Sequence, residues 1–286
     1  MADTPPPLLT TPLSSLAAWT HHLAHAPVPV LAHTAGEVAQ LAQLEDLRGC
    51  VDAQMISQAI EADPLMTVRV LAHAGRHRAR QQVTDAETIT AAVMLMGIGP
   101  FFTAFAGMGT VEDRLGDTPG ALDGLDRVLR RSRRAGRFAL GFANHRMDTD
   151  AAAVHTAATL HDFAEMLLWC HAPALAQALA TYQPQHPELR SVQAQQTVLH
   201  TTLPELEQAL MQAWRLPELM IQLTDDGSRH ALVAPQRRTV QLAVRLARHS
   251  AVDWALPAVQ DDLHEIADLL NLSVGAAERL VHDLDG

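Results

Sequence analysis

The adjacent residues His161 and Asp162 are the part of the sequence whose types are best suited to chemistry. An imidazole and a carboxylate together favour a divalent cation that activates water. Neighbouring side chains on a helix point about 100° apart, so that both reach one ion only at a helix end or a bend. Two ligands do not make a metal centre. The alternative is a pair of polar helix residues that belong to a hydrogen-bond network.

No other catalytic pattern accompanies this pair. The 21 basic residues are all Arg, which excludes a Schiff-base lysine and the lysine of a phosphate-binding loop. The sequence also lacks a Ser-His-Asp order, a zinc-binding cysteine pattern and a glycine-rich phosphate loop. Cys50 and Cys170 are too few for a disulfide framework, and we interpret them as buried small hydrophobic residues of a reduced, cytoplasmic protein.

Helices are the elements that must position His161 and Asp162. Hydrophobic residues make up 48% of the 286 residues but aromatic residues only 4%, a composition that suits helices better than sheets. Helical spacing of apolar residues dominates, and no stretch alternates convincingly with the period of a strand. We predict one central, apolar helix over 151–168, loops over 110–120 and 224–234, and a tail over 1–12. The buried face of the central helix is expected to include Ala153, Ala157, Leu160, Ala164, Leu167 and Leu168.

The charge balance limits the partners of the chain. Basic minus acidic residues is 21 − 32 = −11, which argues against wrapping of nucleic acid and against binding to anionic lipid. No apolar run approaches the ~20 residues of a membrane span, and the first seven residues lack the pattern of a signal peptide. We therefore expect a cytoplasmic protein with no nucleic-acid partner and no membrane association.

Five motifs in the same order resemble the HDOD (HD-related output domain) family of bacterial signalling proteins. An opening helix is expected from Val30 to Leu44, and the segment 60–71 (IEADPLMTVRVL) resembles a D-P-x-L-x-x-x-L-L motif. Val83-Thr84 followed by 91–98 (AAVMLMGI) is similar to V-x-x-x-x-x-A-I-x-x-L-G. The segment 157–168, which contains His161-Asp162, resembles the A-G-L-L-H-D-I-G helix, and 214–218 (WRLPE) resembles a W-x-L-P motif. The resemblance covers about 27–250.

The resemblance implies an all-α fold, an HD-like helical bundle with an N-terminal helical subdomain. It also implies a signalling or regulatory role, commonly without catalysis. We expect an N-terminal tail and helix over 1–25, an HDOD-like domain over 26–250 with contiguous sub-parts of about 26–110 and 121–250, and closing helices over 251–286.

In catalytic relatives a metal shell combines a His, the His-Asp pair and a distant Asp. When this ligand set is carried over to the present sequence by position, the first His falls near Arg131 and the distant Asp falls near Arg248. Only His161 and Asp162 match the family's ligands. Because a guanidinium cannot lose its proton, it repels a cation, and the resemblance implies a degenerate site in which Asp162 pairs with Arg131 or Arg248. Should the alignment slip, the substitute ligands would come from His145, His155, His171 and His200.

The sequence therefore favours a non-catalytic module of bacterial signal transduction with no cofactor and no metal. Its expected partners are signalling proteins or a second copy of the chain, with an anionic or nucleotide ligand as a further candidate at the degenerate site. The alternatives are a metal-dependent HD phosphohydrolase acting on a nucleotide and a purely structural helical scaffold. The related HD-GYP enzymes carry a Gly-Tyr-Pro motif, whereas the single Tyr of this chain, Tyr182, is followed by Gln183.

Overall fold

Side-chain caps decide where several helices begin. The structure, a computed structural model, describes residues 6–77, 86–186, 188–227 and 233–286. In these ranges Asp52 accepts a hydrogen bond from Met55 N at 2.8 Å, and Thr202 accepts one from Glu205 N at 3.3 Å. Such side-chain oxygens satisfy backbone N–H groups that have no partner within the first turn of a helix.

The predicted all-α class is confirmed, because the described residues form helices and no strand, with a single isolated bridge between Val30 and Thr110. None of the described helices combines the length and the apolar character that crossing a membrane requires. Two compact units divide the chain, Met1–Val128 with Asp162–Leu216 and Leu129–His161 with Pro217–Gly286. We call them unit 1 and unit 2.

Unit 1 is built around buried aromatic side chains. Trp19 Nε1 donates to the carbonyl of Leu199 at 2.8 Å, and Trp214 Nε1 donates to the carbonyl of Ala24 at 3.2 Å. Both indoles can therefore be buried without leaving an N–H group unpaired. The helices are α1 (Leu16–His25), α2 (Ala32–Arg48), α3 (Ala53–Ile60), α4 (Pro64–His77), α5 (Ile89–Met96), α6 (Ile98–Ala104), α7 (Val111–Leu115), the first residues of α8 (Ala121–His145), α10 (Phe163–His171), α11 (Pro173–Gln185), α12 (Ser191–Leu199) and α13 (Leu203–Trp214).

Unit 2 holds the remainder of α8 together with α9 (Ala151–Leu160), α14 (Glu218–Thr224), α15 (Ala234–Ser250), α16 (Pro257–Leu270) and α17 (Val274–Asp285). Helix α15 packs against α9, α14 and α16, and α16 packs against α17. The guanidinium of Arg134 on α8 makes a two-point contact with Asp285 on α17, at 2.7 and 2.8 Å. It also donates to Ser250 Oγ at 2.9 Å, so that this one side chain joins α8, α15 and α17.

The prediction of one helix over 151–168 is wrong. Two helices occupy this range, and the chain turns between them at His161 and Asp162. The carbonyl of Asp162 accepts hydrogen bonds from Glu165 and Met166, which starts the second helix. The turn contains no Gly or Pro, and apolar residues continue on both sides, so that periodicity alone did not reveal it. The six residues named for the buried face are all buried, as predicted.

Smaller expectations also change. Cys50 is exposed, whereas Cys170 is buried as expected. The predicted loop over 110–120 contains helix α7, whose N-cap Thr110 accepts from Asp113 N at 3.0 Å; five residues are too few for a periodic pattern. Residues 6–12 of the predicted tail contact the rest of unit 1, since Leu9 N donates to the carbonyl of His171 at 2.8 Å. Residues 1–5, the motif residues Val83 and Thr84, and 228–232 of the predicted loop lie outside the described residues.

The two units group the chain differently from the expected sub-parts, whose bounds stay a prediction. Each unit combines two chain segments, because the chain passes out of unit 1 within α8, after residue 128, and returns at residue 162. Sequence composition does not mark this passage, since α8 continues without a break through it.

Candidate functional site

His161 lies at the end of α9, at a turn of the kind that would let its side chain and that of Asp162 reach one ion. Its backbone is still helical, with φ −57° and ψ −22°, whereas the following residue, Asp162, has φ −110° and ψ 16°. Both side chains are buried, each with an exposed fraction of 6%. His161 belongs to unit 2, whereas Asp162 is the N-cap residue of α10 in unit 1.

Helix α8 contacts α9 in unit 2 at Ser132 and Gly136, the first of which follows Arg131 in the chain. Ser132 Oγ donates to the carbonyl of Thr159, two residues before His161. A Cβ added at Gly136 would overlap Thr159 Oγ1 and would lie 3.1 Å from His155 Nε2, so that only glycine permits this approach. Burial lowers the pKa of His155. The imidazole of His155 is therefore neutral at physiological pH.

The imidazole of His161 faces a carboxylate that the sequence analysis did not select. His161 Nε2 lies 3.6 Å from Oδ1 of Asp226, which follows α14. Burial opposes ionisation of Asp226, but the contacts with His161 and Gln241 and the charge of Arg248 outweigh it and hold the pKa of this carboxyl below its usual value. Asp226 is thus ionised at neutral pH. Gln241 and Arg248 both lie on α15, seven residues apart, which places them on one face of that helix.

Unit 2 therefore brings together His161, Asp226 and Arg248. Arg131 lies on α8 of the same unit, next to Ser132, and its membership of the site stays a prediction. The expected ion pair of Asp162 with Arg131 or Arg248 stays a prediction, and the carboxylate on which the charge of Arg248 acts is Asp226. Among the residues that the structure describes, no group of three or more His, Cys, Asp or Glu side chains is arranged to hold a metal ion. The arrangement holds the imidazole of His161 and the carboxylate of Asp226 together near the cationic guanidinium of Arg248.

The four histidines considered as substitute ligands are distributed over the fold. His145 is the last residue of α8, and His200 follows α12 in a left-handed conformation with φ 61°. His171 is buried in unit 1, where its Nδ1 accepts from Arg114 Nη2 at 3.1 Å. His155 lies on α9, six residues before His161, at an angle of about 240° around the helix.

The signal that could have identified Asp226 is the acidic pair Asp225-Asp226, which lies a few residues after the 214–218 motif. It falls in a segment that we predicted to be a loop, and an acidic pair in a loop normally indicates solvation. Gln241 carries no sequence signal, because it is one polar residue on an amphipathic helix.

Solved structures share the fold of this chain. The chain is similar in fold to the MmoQ response regulator from Methylococcus capsulatus strain Bath, with a TM-score of 0.67, 18% identity, and coverage of 90% of this chain and 99% of that one. It is also similar to a virulence factor (cj0248) from Campylobacter jejuni subsp. jejuni, with a TM-score of 0.64, 14% identity, and coverage of 88% and 89%. No curated protein matches the sequence significantly.

The helical architecture defines an all-α, HD-like protein. The model of the HDOD domain matches residues 28–228, which is well over half of the chain. The chain belongs to the HDOD family, and the resemblance stated from its motifs is confirmed.

Proposed function

We propose that this chain is a non-catalytic regulatory module of bacterial signal transduction, which acts by binding a protein partner or an anionic ligand rather than by turnover. One observation carries the proposal. His161, which a catalytic HD site would use as a metal ligand, has its Nε2 facing Asp226, and the charge of Arg248 acts on the same carboxylate. Protein groups therefore already offset the charge of Asp226, which supports a site that does not depend on a divalent cation.

The electrostatics disfavour hydrolysis through a metal. HD chemistry needs an ion that lowers the pKa of its bound water, and such an ion needs negatively charged ligands. Arg131 and Arg248 stand near the two positions at which the family resemblance expects ligands, and a guanidinium can neither ligate a cation nor lose its proton. The two cationic groups favour an anion such as a phosphate group instead.

Family membership and one structural neighbour support a role in signalling. MmoQ is described as a response regulator, and this chain spans 99% of its length. A module of that kind transmits a signal by changing what it binds. The partners that we propose are other signalling proteins or a second copy of this chain.

Metal content and turnover test the proposal together. We expect the protein purified from iron- and manganese-rich medium to contain far less than one metal ion per chain, and to release no phosphate from a panel of nucleotides. His161→Ala should leave both readings unchanged, as should the control His264→Ala, which replaces an exposed His on α16. Stoichiometric metal that His161→Ala removes, or nucleotide turnover that His161→Ala abolishes, would overturn the proposal in favour of a phosphohydrolase, provided that His264→Ala leaves both unchanged.

Anion binding at the degenerate site has its own test. Thermal stabilisation by inorganic phosphate and by nucleotides should be reduced by Arg248→Ala and retained in Arg279→Ala, a matched exposed Arg on α17. Equal loss in both variants would show only general charge attraction and would remove the anion from the proposal. Cross-linking and light scattering of the purified chain then test self-association.

A further inference from the structure

An apolar cavity lies in unit 1, apart from the His161 site, whose contacting residues belong to unit 2. Its volume is about 310 Å³. One wall comes from the junction of α10 and α11, with Trp169, Pro173, Ala174 and Gln177. A second wall comes from the turn that leads into α8, with Thr118, Pro119 and Ala121.

The N-terminal segment supplies the third wall, with Leu8, Leu9 and Thr10. Hydrogen bonds fix this segment in place. Leu9 N donates to the carbonyl of His171 at 2.8 Å, and Arg114 Nη2 donates to the carbonyl of Pro6 at 3.1 Å. Arg114 is itself anchored, since its Nε donates to the carbonyl of Cys170 at 2.6 Å. The wall is therefore part of the folded unit rather than a chance approach of a chain end.

Trp169 is a rigid part of the cavity. It is buried on α10, and a Cβ added at Gly124 of α8 would overlap its six-membered ring. The indole is thus held between α8 and the cavity, and has no room to rotate toward α8. With an exposed fraction of 3%, the indole adds a small, fixed part to the apolar lining, so that contacts with it cost a ligand little side-chain entropy.

The lining determines the chemistry of the ligand. None of the lining residues is charged, and only Thr10, Thr118 and Gln177 offer polar groups. An ionised ligand would lose its hydration without gaining a counter-charge. In size, the cavity is about twice the roughly 150 Å³ cavity that holds a single benzene ring in a well-studied protein, and it lies at the small end of ligand pockets.

We propose that this cavity, which we name the N-terminal pocket, binds an uncharged, flat, mostly apolar molecule of about two fused rings with one hydroxyl or amide group. The apolar part of the ligand contacts Leu8, Leu9, Pro173 and the small accessible part of Trp169. The polar group meets Thr10, Thr118 or Gln177 at the edge. The N-terminal pocket gives the module a small-molecule input that is distinct from the anion or partner of the His161 site.

The test uses 2-naphthol as a neutral probe and 2-naphthoate as its charged counterpart, measured by titration calorimetry on the full chain. We expect 2-naphthol to bind one site per chain and 2-naphthoate to bind at least about tenfold more weakly. Ala174→Phe, which fills the cavity from the exposed first turn of α11, should weaken 2-naphthol at least about tenfold. Ala178→Phe is the matched control, since it lies one turn further along the same helix, is exposed, and does not line the cavity.

Three results would overturn this inference: no binding of 2-naphthol to the unaltered chain, equal affinity for both probes, or equal affinity in the Ala174→Phe and Ala178→Phe variants. Circular dichroism of both variants establishes that they are folded before titration. Failure here leaves the metal and turnover measurements on the His161 site unaffected, so that the two proposals are tested separately.

Discussion

At the scale of single residues, His171 shows how burial fixes a charge state. Burial, the charge of Arg114 and the neighbouring His22 lower the pKa of His171 from 6.5 to about 3. The guanidinium of Arg114 donates to Nδ1, so that a proton on that nitrogen would have to displace this hydrogen bond. The imidazole is therefore neutral in the folded chain throughout the physiological range.

Stability should depend on pH through this residue. Between pH 6.5 and about 3 the unfolded chain takes up a proton that folded His171 does not, so that the free energy of unfolding falls as the pH falls, by up to roughly 1.4 kcal/mol for each pH unit. Urea unfolding of the unaltered chain and of His171→Gln over this range measures the contribution. The variant should show a shallower loss. Identical pH profiles would contradict the prediction.

Asp63, the Asp of the D-P-x-L motif, has a structural role in unit 1. Its side chain is fully buried, and its carboxylate accepts from Leu65 N at 3.0 Å and Met66 N at 3.2 Å, which caps α4. The other oxygen accepts from Leu31 N at 2.9 Å, so that the same side chain joins the starts of α2 and α4. Burial raises the pKa of Asp63 against the effect of these hydrogen bonds.

We expect Asp63→Ala to lower the free energy of unfolding by roughly 2–4 kcal/mol, because it removes a helix cap and leaves buried N–H groups without partners. Asp52→Ala is the matched control, since Asp52 caps α3 from an exposed position through one hydrogen bond. Its loss should be about 1 kcal/mol. Denaturant titration of both variants decides the prediction, and a loss for Asp63→Ala no larger than the control would refute it.

At the scale of elements, the burial of helix α10 predicts a large loss of stability when Leu167 is truncated. Leu167 has no exposed surface, in agreement with the face assigned from its sequence. Leu167→Ala should cost about 2–5 kcal/mol of unfolding free energy, because it removes apolar contacts and leaves a cavity. A loss below about 0.5 kcal/mol in chemical denaturation would mean that the surrounding helices close over the vacated space or that the face is misassigned.

A second element-scale feature is the close approach of α4 to the end of α13. A Cβ added at Gly75 would lie 2.5 Å from the carbonyl oxygen of Arg215 and 2.6 Å from that of Trp214. The W-x-L-P segment thus needs a glycine opposite it. In contrast, nothing lies within 4 Å of an added Cβ at Gly36 in α2.

These two glycines make a matched pair of substitutions. Gly75→Ala should destabilise unit 1 by about 1–3 kcal/mol, because backbone atoms have to shift. Gly36→Ala should stabilise the chain by about 0.5–1 kcal/mol, because Ala loses less conformational entropy in a helix. Thermal unfolding of the two variants should move the midpoint in opposite directions. A shift of the same sign in both would contradict the close approach.

At the scale of the whole molecule, the net charge of −11 sets the expected behaviour toward polyanions. Six arginines lie between residues 127 and 137 of α8. Two of them, Arg134 and Arg137, contact Asp285, which partly compensates their charge within unit 2. We expect no binding of labelled duplex DNA or RNA at physiological ionic strength, measured by fluorescence anisotropy. Binding in the micromolar range that Arg133→Ala weakens would show instead that α8 provides an anionic-polymer site.

The sequence by itself determined the helical class, the family and the buried face of 151–168, because each depends on local spacing. Apolar periodicity lies in consecutive residues, and Asp63 caps α4 within its own segment. The same side chain and that of Trp214 also bond to distant residues, Leu31 and Ala24, which the motifs alone do not specify. The same locality explains the error at His161 and Asp162, where a turn without Gly or Pro leaves the apolar pattern unbroken.

Only the tertiary structure decided what His161 faces and where a ligand could enter. His161 and Asp226 are far apart in sequence, and the N-terminal pocket joins an N-terminal segment, a turn before α8 and the start of α11. Such contacts depend on how the helices pack. A small shift of one helix along its axis would bring different residues into contact. The pairing of residues distant in sequence is therefore a property of the packed unit, which local spacing cannot encode.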